Sequence, residues 1–198
     1  MVLTATNQDR ASLRKTLRQA RRALTADQQQ QASLALLNKV RDAELLPQSG
    51  HCAFYLSNDG ELNPTPLIQH CWKIGLSTSL PVLHPFTRGH LLFLRYQHNS
   101  AMQHNKYGIA EPKCEVTNVV PLLQHKVIFT PLVGFDLNGN RLGMGGGYYD
   151  RTLASLKSAT GIRLIGLAHD CQQVDALPFQ NWDIPLHMIV TPNRIIKC

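Results

Sequence analysis

Apolar residues recur at helical spacing from the start of the chain. Leu13, Leu17, Ala20 and Leu24 share one side of the segment 9–24, and Asp9 stands where an N-cap would be. The other positions of DRASLRKTLRQARRAL are rich in Arg and Lys, so the pattern predicts an amphipathic helix with a strongly basic face. Thr25 followed by Gln28 matches a capping box, and SLALLNKV carries a second predicted helix to about Asp42. The period then changes. HCAFYL (51–56) is a short apolar run closed by SNDG, which predicts a strand and a turn; a helix follows over about 64–74, with Pro64 at its start and Gly75 at its stop. STSLPVL (77–83) and LLFLRYQ (91–97) are predicted strands separated by the turn-forming HPFTRG. The polar stretch 99–119 predicts loop with at most one short strand. KVIFTPLVGF (126–135) is apolar without alternation, as in a strand buried on both faces, and is predicted to be central. Helix is predicted again at about 149–156, and strands at IRLIGLA (162–168) and HMIVT (187–191).

Strands alternating with helices over short links predict an α/β sandwich around a mainly parallel sheet. Without repeat, linker or low-complexity tract, 198 residues fit one domain, with the basic helix packed on it. Composition narrows the partners. Twenty Lys and Arg against 13 Asp and Glu give a net charge of +7, which favours anions: nucleic acid, a membrane surface or small polyanions such as nucleotides. The residues before Ser12 are polar and no apolar run approaches spanning length, so the expectation is a cytoplasmic protein without a membrane partner. Five cysteines without a CxxC pair suggest neither a disulfide framework nor a zinc cluster, and the nine histidines form no ligand pair.

The chemistry concentrates in GNRLGMGGGYYDRTL (139–153). Gly143, Gly145, Gly146 and Gly147 permit positive φ and close backbone approach, and successive N–H groups can form an anion-binding nest. A helix opens directly after them, its N-terminal amides favouring phosphate, and Arg141 and Arg151 flank the loop. A phosphate cradle is the expectation; a flexible turn is the bland alternative. The loop is neither a Walker A sequence nor a dinucleotide fingerprint. Asp150, an acid so close to a bound phosphate, is expected to share a cation such as Mg2+ with it. Helix capping or pairing with Arg151 is the other role open to it.

The segment GFDLNGNRLGMGGGYYDR resembles the signature of the 5-formyltetrahydrofolate cyclo-ligase family, a long and specific motif. The likeness extends from RKTLRQARRAL through YLSNDGEL and IAEP to WDIPLHMIVTP. It implies a Rossmann-like three-layer α/β/α fold and an ATP-dependent cyclisation of 5-formyltetrahydrofolate to 5,10-methenyltetrahydrofolate with Mg2+. It also implies residue roles. Arg14 or its neighbour Lys15, with Arg18 four positions on, would face ATP; Arg141, Leu142, Gly143, Met144, Gly145, Gly146, Gly147 and Tyr148 would hold its phosphates, with Arg141 catalytic. Some members carry basic residues where this chain has Met144 and Gly146, which throws more weight on Arg141 and the helix arginines. Glu61 would bind the pterin, Tyr148 and Tyr149 would offer flat walls to the folate, and Asp150 with Asp183 would hold Mg2+. An acidic polyglutamylated folate tail would suit the net positive charge. Without the resemblance, Asp183 is a turn residue and Glu61 an exposed acid.

Two rival readings stand beside this one. Similar sandwiches host sugar-phosphate isomerases and CoA-transferases, and fold alone does not fix function. A basic helix carrying Arg14, Lys15, Arg18, Arg21 and Arg22 would also suit a nucleic-acid backbone, although no stacking motif accompanies it, and the resemblance implies no nucleic-acid partner. A monomer is favoured.

Overall fold

The computed structural model describes residues 7–156 and 161–198. Helix α1 (Asn7–Arg22) is already formed at Asn7, so Asp9 lies within it and not at its cap. Helix α2 (Ala26–Asp42) starts at the expected capping box: Thr25 Oγ1 accepts the Gln28 amide at 3.2 Å, and Gln28 Oε1 accepts the Thr25 amide at 2.8 Å. Strand β1 (His51–Ala53), helix α3 (Thr65–Lys73), and strands β2 (Ser77–Leu83) and β3 (Leu91–Tyr96) follow. Next come β4 (Met102–His104), β5 (Ala110–Pro112), β6 (His125–Pro131), β7 (Gly134–Phe135) and β8 (Arg141–Leu142). Helix α4 (Tyr148–Leu153) runs into a 3-10 turn (Ala154–Leu156), ahead of β9 (Arg163–Leu167), β10 (Met188–Val190) and β11 (Ile195–Lys197).

Seven strands form one sheet in the order β11-β10-β9-β6-β1-β2-β3. Its inner five strands are parallel, and β3 and β11 close the edges antiparallel. β6 is central, as its unbroken apolar run requires. Adjacent residues point to opposite faces: Cys52, Val127, Phe129, Ile165 and Val190 meet α2 and α3 on one side. Ala53, Ile128, Leu164 and Ile189 meet α4, its 3-10 extension and the 184–186 segment on the other. The result is a mixed three-layer α/β/α domain whose second helical layer is thin. All five cysteines are free; Cys52 and Cys71 are buried in the core.

Three differences from the sequence reading matter for the site. The run 126–135 is not one strand: β6 ends at Pro131, and the carbonyls beyond it turn out of the sheet. Leu132 O accepts Arg21 Nη1 at 3.1 Å and Gln172 Nε2 at 2.6 Å, while β7 pairs separately with β8. The polar stretch 99–119 holds two strands, the β4–β5 hairpin, where at most one was expected. The strand expected over 51–56 stops at Ala53, after which the chain is pinned as a loop by Tyr55 Oη donating to Leu62 O at 2.6 Å.

Candidate active site

A cavity of about 610 Å3 opens at the carboxyl ends of β1, β2 and β6, the edge at which parallel sheets present their loops to ligands. Tyr55 and Glu61 wall it after β1, and Leu80, Pro81 and Leu83 along β2. The β4–β5 hairpin contributes Asn105, Tyr107 and Ile109, and Pro131 to Val133 supply the floor. Arg141, Gly143, Met144, Gly146, Gly147, Tyr148, Tyr149 and Asp150 complete the wall. Residues almost a hundred positions apart, from Tyr55 to Asp150, thus share one space.

The glycine loop is shaped by backbone demands. Gly145 and Gly147 have φ of +98° and +65°, values a side chain rarely tolerates, and Gly147 is the left-handed residue from which α4 starts. A Cβ on Gly146 would lie 2.8 Å from the Tyr148 ring, so a side chain at this position has no room without a shift. Helix α4 is six residues long, which gives it a weaker dipole than the sequence reading assumed. The cradle therefore depends on loop amides and arginines. Buried Arg141 donates through Nη2 to Asp150 Oδ1 at 2.5 Å, while its Nε, also buried, has no partner among the described residues. Burial opposes its charge; the neighbouring Asp150, Tyr149 and Asp183 support it. Arg151 bonds the carbonyls of Gly89 and Gly146, so the Asp150–Arg151 pairing left open by the sequence is replaced by Asp150–Arg141.

The basic face of α1 is distributed over three sites. Arg14 Nε donates to Gly143 O at 2.8 Å and its guanidinium faces Gly145, whereas Lys15 is exposed; of the two, Arg14 is the one that meets the loop. Arg18, expected beside it, binds Asp59 Oδ2 at 2.7 Å, joined there by Arg21 and Arg22. Although burial pushes the Asp59 carboxyl up, these three guanidinium partners prevail and hold it at about 2. Arg10 grips Asp183 two-pronged, at 2.8 and 3.2 Å. Arg14, Arg18, Arg21 and Arg22 are all engaged within the chain, so the face proposed for a nucleic-acid backbone keeps Lys15 unengaged among the described residues, and Arg18 and Arg22 only in part solvent-facing.

Glu61 Oε2 accepts the Asn58 amide at 3.1 Å, and Oε1 lies 3.8 Å from Arg21 Nη2. Desolvation raises its carboxyl to about 7 against the opposing pull of Arg21 and the Asn58 amide. Tyr149, whose buried hydroxyl has no partner among the described residues, stands close enough to feel the charge of Glu61; burial pushes that phenol's own titration up. Tyr148 is on the rim, its hydroxyl 2.8 Å from that of Tyr107 at the hairpin tip.

The carboxylates differ in fitness for Mg2+. Asp150 lines the cavity, and its Oδ2 has no protein donor among the described residues, so it can give an oxygen to a cation that also binds phosphate. Asp183 has Oδ1 on Arg10 and Oδ2 on Arg10 and the Gln180 amide, so it reaches a metal only by releasing Arg10. Among the described residues no three His, Cys, Asp or Glu side chains cluster, which leaves phosphate oxygens and water to complete any Mg2+ shell.

Sequence reasoning missed Arg10, Asp59, Asp136 and Tyr107, and took Arg21 only as part of a basic face. Arg10 was within reach, since it extends the i, i+4 series of Arg14 and Arg18 by one turn. Asp136 organises the turn before the glycine loop by accepting the amides of Asn138, Asn140 and Leu177. Arg21 and Tyr107 carry no local signal, because their roles come from contacts with distant segments.

The family model for the 5-formyltetrahydrofolate cyclo-ligase family matches residues 6–192. A 5-formyltetrahydrofolate cyclo-ligase of Haemophilus influenzae is 46% identical over 183 residues, covering 92% of this chain and 97% of that protein. One from Escherichia coli (strain K12) is 46% identical over 179 residues, covering 90% and 98%. Among solved structures, Aquifex aeolicus 5,10-methenyltetrahydrofolate synthetase matches with a TM-score of 0.80 at 28% identity over 95% of this chain and 92% of that one. Among the described residues no helix is long and apolar enough to cross a membrane.

Proposed function

The chain belongs to the 5-formyltetrahydrofolate cyclo-ligase family, a family of ligases, and we propose that it cyclises 5-formyltetrahydrofolate to 5,10-methenyltetrahydrofolate while converting ATP to ADP and phosphate. The observation that carries this reading is the sharing of one cavity by a glycine loop with two adjacent guanidiniums and by a desolvated carboxylate 3.8 Å from a third. One end of such a space suits a triphosphate and the other a flat ring bearing N–H donors.

A formamide is a weak electrophile and its oxygen a poor leaving group. Transfer of the γ-phosphoryl group to the formyl oxygen remedies both: N10 attacks the activated carbon, and the C–O bond breaks with phosphate departing. That chemistry asks the protein for alignment and charge neutralisation more than for a nucleophile. Arg14 and Arg141, with the amides of residues 143–147, hold the phosphates. Arg141 Nε, without a partner among the described residues, can meet a phosphoryl oxygen. Glu61 accepts the pterin N–H donors through Oε1, and Tyr148 and Tyr149 confine the folate. Mg2+, held by Asp150 together with phosphate oxygens, would neutralise charge on the transferring group. Asp183 positions Arg10 beside Arg14 and stands as a second carboxylate for the ion if that pair opens.

The decisive assay follows the methenyl product by absorbance with 5-formyltetrahydrofolate, ATP and Mg2+, omitting each in turn. Product only in the complete mixture supports the reading; product without ATP, or none at all, sinks it.

A further inference from the structure

Arg21 is fully shielded from solvent, an unusual place for a guanidinium unless every donor is used. Its Nε donates to Asp59 O at 2.8 Å, its Nη1 to Leu132 O at 3.1 Å, and its Nη2 to Asp59 Oδ2 at 3.0 Å. The same Nη2 is 3.8 Å from Glu61 Oε1. One side chain of α1 therefore ties the loop after β1 to the chain leaving β6. Asp59 has a φ of +54°, a left-handed conformation that a non-glycine residue holds only when its surroundings enforce it. Here they do. Gly60 beside it packs so closely on the helix that an added Cβ would sit 3.3 Å from Arg21 O.

The charges around Asp59 and Glu61 are unequal. Asp59 also binds Arg18 and Arg22, both of which reach solvent, so it does not depend on Arg21 for neutralisation. Glu61 has fewer partners. Arg21 faces it from α1 and Asp59 from its own loop, while Tyr55 after β1 and Tyr149 from α4 are phenols that burial keeps protonated. Of these groups, Arg21 favours an ionised Glu61 and Asp59 opposes it.

Resting on the reading of Glu61 as the pterin acceptor, we propose that Arg21 is its positioning residue: it holds Glu61 charged and aimed into the cavity, and Asp59 sets the strength of that hold. Nothing in Arg21 touches the reacting atoms. Its influence passes through one carboxylate and is read as the pH at which the folate is gripped.

The test measures the Kd of 5-formyltetrahydrofolate alone by calorimetry, between about pH 5.5 and 8.5, in the full chain. In the wild type the affinity falls as pH drops through about 7, where Glu61 takes up its proton. Arg21→Met should move that inflection upward by on the order of one unit, about a tenfold loss of affinity below it. Asp59→Asn should move it downward, since a like charge is removed. Structural damage would weaken binding in both variants without shifting the inflection in opposite directions. Inflections that move together, or stay in place, overturn the proposal. If Arg21→Met does not fold, Asp59→Asn decides alone, and an unmoved or raised inflection there is the overturning result. Glu61→Gln separates the two layers: it should abolish the inflection, and a variant that keeps the wild-type profile removes Glu61 from the folate site altogether.

Discussion

A guanidinium withdrawn from water with one N–H left unpartnered is prepared for an anion, and among the described residues Arg141 is in that state between Asp150 and Tyr149. Arg141→Ala should lower kcat by about 10^3 or more, the scale on which phosphoryl-transfer arginines act, with the folate Kd little changed. Near-normal single-turnover rates would take Arg141 out of the mechanism. Glu61 makes a prediction of its own about stability. Its carboxyl stands at about 7 in the fold against 4.5 in a free chain, so the fold favours the protonated form. That contribution is complete below 4.5 and is lost as pH rises through 7. Glu61→Gln, which cannot ionise, should therefore gain in melting temperature relative to the wild type between pH 5 and pH 8. At this scale much of the site was legible in the sequence: Glu61, Arg141, Tyr148, Tyr149 and Asp150 do line one cavity. Arg18 shows that a basic face announces an anion without saying which. The nearest one proved to be Asp59 of the same chain.

Among the elements, the passage from β8 through the glycine loop into α4 is the most demanding in backbone terms. Gly147→Ala places a Cβ at a φ of +65° and 2.8 Å from the Arg151 guanidinium. A loss of about 1–2 kcal/mol in urea unfolding is expected, with a rise in the KM for ATP as the loop amides turn. An unchanged KM would detach this loop from the nucleotide. The parallel strands, α2 and α3 were readable because their periods and caps are local. The break at Pro131 was not: it depends on Arg21 and Gln172 capturing carbonyls from elsewhere in the chain. The pairing of β4 with β5, where at most one strand was expected, and strand β11 were also not foreseen, each strand being three residues long and specified mainly by its partner.

At the scale of the whole molecule, the net charge of +7 favours the approach of the triphosphate proposed as a substrate. The KM for ATP should rise several-fold between about 0.05 and 0.5 M salt, as screening shortens the reach of that field. A flat dependence would confine recognition to the contacts themselves. The first helix gives a different lesson. Arg10 rests on the segment of Asp183, Arg14 on the glycine loop, and Arg21 on the loop after β1 and the chain leaving β6. Such a helix is a keystone: it is seated by the walls it spans, and whatever stiffens those walls locks it. A protease directed at residues 7–22 would then report occupancy from outside, its cuts slowing once both substrates are aboard.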